Sequence, residues 1–261
     1  MSADFRVVIP ARFASTRLPG KPLAEINGVP MVARVAAQAA LSGAIDVVVA
    51  TDDERVVAAA ETHGHRAVMT RVDHESGSDR VMEVVERAGW PDDALIVNVQ
   101  GDEPLIPPQV IKQVADLLDD HAECDIATLC EPITQPAALL DPNVVKVVIG
   151  AARRALYFSR APIPWDRATF PTAGATPLPG QLSAGHWWRH IGIYAFRASA
   201  LREFCGLPTS ELEALESLEQ LRALQYGMKI AVAEAGTRVP GGVDTPDDLQ
   251  RAIEACSGPS S

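Results

Sequence analysis

Short β-branched apolar runs alternate with amphipathic stretches through the first half of the chain, and this alternation constrains the fold more than any other feature. The runs are residues 6–9, 46–50 (DVVVA), 66–70, 95–100 (LIVNVQ) and 125–129. Between them, apolar residues recur at helical spacing over 31–42, 54–62, 79–88 and 108–120. Pro30 suits the first turn of the first helix and Gly43 its C-terminal stop. Strands this apolar, each followed by a helix that can carry the chain back, predict an α/β fold: a mostly parallel central sheet with helices on both faces.

The rhythm changes after residue 143. VVKVVIG and ALYFSR lie close together like the arms of a hairpin, and residues 162–185 are rich in Pro, Gly and Ala without clear periodicity. Order resumes with HIGIYAFR (190–197), a helical segment over 210–226, a strand over 229–235 and a closing helix from near Thr245. With 47% hydrophobic residues among 261, the chain can bury a sizeable core, and no linker divides it. One domain over 1–261 is expected, with an embellishment at about 150–200.

Charge and composition exclude several functions. Thirty-four acidic residues against 23 Lys and Arg give a net charge of -11, the wrong sign for a nucleic-acid binder. No apolar run approaches the roughly 20 residues of a membrane span, and MSADFR carries no export signal, so a soluble, cytoplasmic protein is expected. The four cysteines fall outside any CxxC spacing, which suits reduced thiols.

Ligands of open α/β sheets bind at the carboxyl ends of strands. Four polar turns follow the first four strands: PARFASTR, TDDE, RVDHESGSDR and GDEP. The first belongs to VVIPARFASTRLPGK, a loop of small residues with Arg12, Arg17 and Lys21. It matches neither GxxxxGK[ST] nor GxGxxG. Its amides and forked guanidiniums nevertheless suit a triphosphate, although residue types alone describe a solvated basic loop equally well. NVQGDEP sets Gln100, Asp102 and Glu103 at a strand end, where a carboxylate is a natural Mg²⁺ ligand. In GGVDTPDDL, Asp244 precedes Thr245-Pro246, and residue type alone favours a helix cap over a metal ligand. There is no HExxH helix and no GxSxG elbow.

Taken together, IPARFASTRLPGKPL, ATDD, TRVDHESGSDR, NVQGDEPLIP, YFSRAPIPWDR, RHIGIYAFR, LESLEQLR and GVDTPDDL resemble the 3-deoxy-manno-octulosonate (Kdo) cytidylyltransferases, over nearly the whole chain. The resemblance implies a glycosyltransferase-A-like nucleotidyltransferase, Mg²⁺-dependent and homodimeric, that joins CTP and Kdo into CMP-Kdo for lipopolysaccharide synthesis. By motif, Arg12 and Lys21 would meet the CTP phosphates with Ser15 and Arg17 nearby, and Arg80 and Gln100 would line the nucleotide site. Asp102 and Asp244 would hold the metal. Arg160, His190, Tyr194, Glu219 and Gln220 would build the Kdo side, and the embellishment would serve sugar binding and dimerisation. The segment 170–188 departs from the pattern without touching a motif, and Trp187-Trp188 within it reads as a dimer contact or as packing. A CMP-sialate synthetase, another sugar nucleotidyltransferase or a non-catalytic nucleotide-sugar sensor are the alternative readings.

Overall fold

The computed structural model describes residues 3–15, 17–167, 170, 180, 182–183 and 185–257. Strands β1 (Phe5–Pro10), β4 (Asp46–Thr51), β5 (Arg66–Met69) and β6 (Leu95–Asn98) alternate with helices α1 (Met31–Ala40), α2 (Glu54–Thr62) and α3 (Gly77–Ala88); a small hairpin, β2 (Glu25–Ile26) with β3 (Val29–Pro30), precedes α1. Next come α4 (Pro108–Asp120), β7 (Ile126–Pro132), α5 (Pro136–Leu140), β8 (Lys146–Ile149) and β9 (Ala155–Ser159). The chain closes with β10 (Trp188–Arg197), α6 (Ala198–Gly206), α7 (Glu211–Glu216), α8 (Gln220–Gln225), β11 (Ile230–Glu234) and α9 (Pro246–Ser257).

The main sheet runs β11-β7-β10-β6-β1-β4-β5. Pairs β1–β4, β1–β6, β4–β5 and β7–β11 are parallel, whereas β10 runs antiparallel to β6, β7 and β8. The expected hairpin forms as β8–β9 and joins the same sheet through β10.

Alternate residues of each strand face opposite layers, because successive side chains point to opposite faces. Val7, Ile9, Val49 and Val97 pack with α1, α2 and α4 through Val32, Val35, Val56, Val110 and Val114. Val8, Val48 and Ile96 pack with α3, α6 and α8 through Val81, Val85, Leu201 and Leu221. Each fully buried aliphatic side chain contributes roughly 1.5–3 kcal/mol, which makes the two-faced strand the stable choice.

One expectation needs correction. The helix expected over 210–226 is two short helices, broken at Ser217, whose φ of 52° is left-handed. Helix α6 follows β10 directly, in a stretch for which the sequence pattern predicts no element. Of the two readings of Trp187, packing holds: it is 3% exposed, donates from Nε1 to Pro164 O at 2.9 Å and packs edge-on against Phe170. Most of the doubtful stretch 162–185 from residue 168 onward lies outside the described residues.

Candidate active site

The loops after β1 and β6 meet because of Gly101. A Cβ there would lie 2.8 Å from Pro10 O and 3.2 Å from Ala11 Cβ, so only glycine lets the backbones approach this closely. Asp102 is thereby set beside the 3-10 turn Lys21–Leu23. Its carbonyl accepts from Val243 N at 2.8 Å, which brings the loop before α9 onto the same rim.

These contacts gather one charged cluster. Lys21 Nζ donates to Asp102 Oδ2 at 2.6 Å and to Asp244 Oδ1 at 2.8 Å, and Arg17 reaches Asp244 Oδ1 at 2.9 Å. Burial pulls the Lys21 ammonium down, but the charges and hydrogen bonds of Asp102 and Asp244 outweigh it and leave the pKa above 10.5. Asp244 is not the helix cap that its sequence position suggests. Thr245 and Asp248 form the reciprocal cap of α9, with Asp248 N on Thr245 Oγ1 at 3.2 Å and Thr245 N on Asp248 Oδ2 at 2.8 Å. The Asp244 carboxylate is left for the cations. Glu103, alongside, is pushed up to about 8 by burial and then by the charge of Asp102, so it is largely protonated at neutral pH.

The cluster lies in a cleft of about 710 Å³ lined also by Arg12, Ser15, His74, Arg80 and Gln100. Arg12 and Arg17 are exposed, whereas the Arg80 side chain is 4% exposed and reaches Asp52 Oδ2 at 3.0 Å. Helix α3 opens on this cleft with a reciprocal cap between Ser76 and Asp79, and Gly77 of its first turn is part of the wall.

A second cavity of about 510 Å³ shares Gly77, Gln100 and Glu219 with the first, so the two are halves of one site. Its wall includes Arg189, His190, Tyr194 and Gln220. The antiparallel direction of β10 puts them there: Tyr194 pairs with Asn98 at the end of β6, and His190 continues past it. Between Ile191 and Tyr194 the register against β7 slips, and Thr128 Oγ1 fills the irregularity, 2.7 Å from Ile193 O and 3.0 Å from Ile191 O. With its proton given to a carbonyl, that hydroxyl accepts from His190 Nε2 at 3.0 Å. The tautomer follows, and Nδ1 is left as an acceptor.

Burial, then the neighbouring Arg189, lowers His190 to about 3, so it is a neutral ring. Burial, then Glu219, keeps the Tyr194 phenol protonated far above its usual range. Glu219 is itself raised, chiefly by burial, against the hydrogen bond from Ser78 at 2.9 Å. Gln220 Nε2 is buried without a partner among the described residues, a donor waiting for an acceptor in this half.

Of the candidate residues, Arg12, Ser15, Arg17, Lys21, Arg80, Asp102 and Asp244 line the first half; His190, Tyr194 and Gln220 line the second, and Gln100 and Glu219 line both. Arg160 is the exception. Its guanidinium donates to the carbonyls of Glu216 (2.6 Å), Pro142 (2.9 Å) and Ser217 (3.4 Å), behind the wall rather than in it. Glu103, expected at the strand end with Gln100 and Asp102, lies beside them, whereas His74 and Ser78 carry no signal of their own beyond standing in RVDHESGSDR, the polar turn after β5.

The arrangement fits a divalent cation. Two carboxylate oxygens converge on one point, now taken by an ammonium, and hard oxygen donors beside a cationic loop are the set that Mg²⁺ prefers.

The family model for cytidylyltransferases matches residues 6–230. The chain is 48% identical to the 3-deoxy-manno-octulosonate cytidylyltransferase of Methylococcus capsulatus over 258 residues, 99% of each protein. It is 51% identical to the enzyme of the same name from Nitrosococcus oceani over 248 residues, 95% of each. Among solved structures, CMP:2-keto-3-deoxy-manno-octonic acid synthetase complexed with CTP superposes with a TM-score of 0.86 at 40% identity, covering 98% of this chain and 99% of that one. A cytidylyltransferase from Leptospira borgpetersenii, at 17% identity and a TM-score of 0.60, shares the fold, over 99% of this chain and 89% of its own.

Proposed function

The chain belongs to the cytidylyltransferase family, and from that premise we infer that it transfers CMP from CTP to the anomeric hydroxyl of Kdo, releasing pyrophosphate. The observation that carries the reading is one continuous site with two chemically different halves, joined at Gln100 and Glu219. The half with Arg12, Arg17, Lys21 and Arg80 takes the polyphosphate. The half with neutral His190, Tyr194 and the unpaired Gln220 donor takes the polyhydroxylated acid sugar.

In the reaction the anomeric oxygen bonds to the α-phosphorus, the bond from that phosphorus to the α,β-bridging oxygen breaks with its electron pair leaving on pyrophosphate, and the hydroxyl proton passes to solvent. Both substrates are anions, so their approach inside an acidic protein needs local positive charge. Arg12 and Arg17 hold the phosphates, and Lys21 meets the charge that builds on the transferring group. Asp102 and Asp244 would hold Mg²⁺, which would supply charge neutralisation and a lower pKa for the attacking hydroxyl. His190 and Tyr194 orient the sugar by hydrogen bonds without adding charge.

The same reading makes the protein a cytoplasmic homodimer serving lipopolysaccharide synthesis. The four free cysteines suit a reducing compartment. Leu156 on β9 and Trp165 just after it are 63% and 60% exposed, apolar surface of the kind that a second copy covers. No helix among the described residues is long and apolar enough to cross a membrane.

Pyrophosphate release across a panel of nucleotides and acidic sugars tests the assignment. CTP with Kdo and Mg²⁺ is the productive combination; faster turnover with sialate, or binding without release, overturns it.

A further inference from the structure

We propose that Asp52 is a positioning residue for the nucleotide, the strut that sets the basic loop and Arg80 at a fixed separation. Asp52 ends up outside the wall of the cleft, at the turn after β4, with its side chain 15% exposed. Its two oxygens serve two different ligand-bearing elements. Oδ1 accepts from Phe13 N at 3.0 Å, and Oδ2 accepts from Arg80 at 3.0 Å. Phe13 stands between Arg12 and Ala14, both in the wall of the phosphate half.

The surroundings leave Asp52 this one task. Its neighbour Asp53 caps α2, accepting from Arg55 N at 2.9 Å and from the Arg55 guanidinium. That guanidinium lies over the Phe13 ring at 3.8 Å, and the ring packs against Gly20, where a Cβ would come within 3.3 Å. Phe13 is therefore gripped by its amide through Asp52, and by its ring from two other directions. Arg80 is fixed in the same way, because its other terminal nitrogen, Nη1, bonds Thr70 Oγ1 and Arg71 O. Without Asp52, a guanidinium 4% exposed loses its counter-charge and turns toward the cleft, and the loop amide loses its acceptor. Both changes disturb the phosphate half and leave the sugar half, built on β10 and α8, in place.

The inference rests on the reading of this half as the nucleotide site. Calorimetric CTP binding with Mg²⁺, steady-state kinetics and thermal melts on Asp52→Asn, Asp52→Ala and Arg12→Ala separate the two. Asp52→Ala is expected to weaken CTP binding and raise the KM for CTP about 10-fold, with the KM for Kdo within about 2-fold. Asp52→Asn, whose amide oxygen can still accept from Phe13 N, recovers part of the loss and carries the test if the alanine variant does not fold. Weaker CTP binding in Arg12→Ala with unchanged binding in Asp52→Asn overturns the role of Asp52 alone. Equal rises in both KM values, tracking a lower Tm, overturn it in favour of general stabilisation. Unchanged CTP binding in Arg12→Ala overturns the nucleotide site itself, and the inference with it.

Discussion

Lys21 Nζ stands 2.6 Å from Asp102 Oδ2, an ion pair between the first loop of the chain and the turn after β6. The raised pKa of the ammonium means that its stabilising contribution is present below 10.5 and is lost only as pH climbs through the still higher folded value, so Lys21 is charged at every working pH. Lys21→Met is expected to lower kcat at least ~100-fold while the KM for Kdo stays within about 2-fold. Its Tm should fall without Mg²⁺, where Asp102 loses its ammonium partner and only Arg17 still faces the two carboxylates, and recover when Mg²⁺ is added. Comparable kcat values in variant and wild type would refute the role.

Gly101→Ala tests the contact on which the rim depends. The new Cβ meets the Pro10 carbonyl at 2.8 Å, a backbone atom that cannot swing away. We expect a stability loss of about 1–3 kcal/mol by chemical denaturation, together with weaker CTP binding. Gly206→Ala, with nothing within 4 Å, is the control and should change neither.

The neutrality of His190 has a signature in stability. Its folded pKa, lowered to about 3, lies below the ordinary 6.5, so the unfolded chain takes up the proton first as pH falls. Stability tied to this group is present above 6.5 and declines below it, at up to about 1.4 kcal/mol per pH unit until pH nears 3. Urea unfolding at pH 7 and pH 5 should show a smaller difference for His190→Asn than for wild type. Identical pH dependence in the two proteins would mean that His190 is not held neutral.

Arg160 is expected to act on the sugar through the wall that it braces. Pro142 and Ser217, whose carbonyls it binds, flank Asn143 and Leu218 of the second half. Arg160→Ala should raise the KM for Kdo about 10-fold and leave that for CTP nearly unchanged, with Arg160→Lys recovering only part because one ammonium cannot reach three carbonyls. A loss shared equally by both substrates would contradict this.

The nucleotide half was legible in the sequence because local signals coincide there: strands apolar on both faces end in loops whose small and charged residues have few other uses. Lys21, Gln100 and Asp102 reach the cleft on such loops. The sugar half was less legible, since His190 and Tyr194 reach the rim only through the antiparallel insertion of β10 between β6 and β7, a nonlocal pairing that no spacing announces. Ser217 breaks its helix without Gly or Pro. Adjacent acids were the hardest to separate: Asp53 caps while Asp52 braces, and Thr245 and Asp248 cap while Asp244 binds cations, choices made by three-dimensional packing among residues of one type.

The central claim is that Asp102 and Asp244 form one site for a divalent ion beside the phosphate loop. Pyrophosphate release from CTP and Kdo, followed as Mg²⁺ is titrated against wild type, Asp102→Asn and Asp244→Asn, tests it most directly. The account predicts that either substitution raises the Mg²⁺ concentration for half-maximal rate at least ~10-fold. Half-maximal concentrations equal to that of wild type in both variants would contradict it.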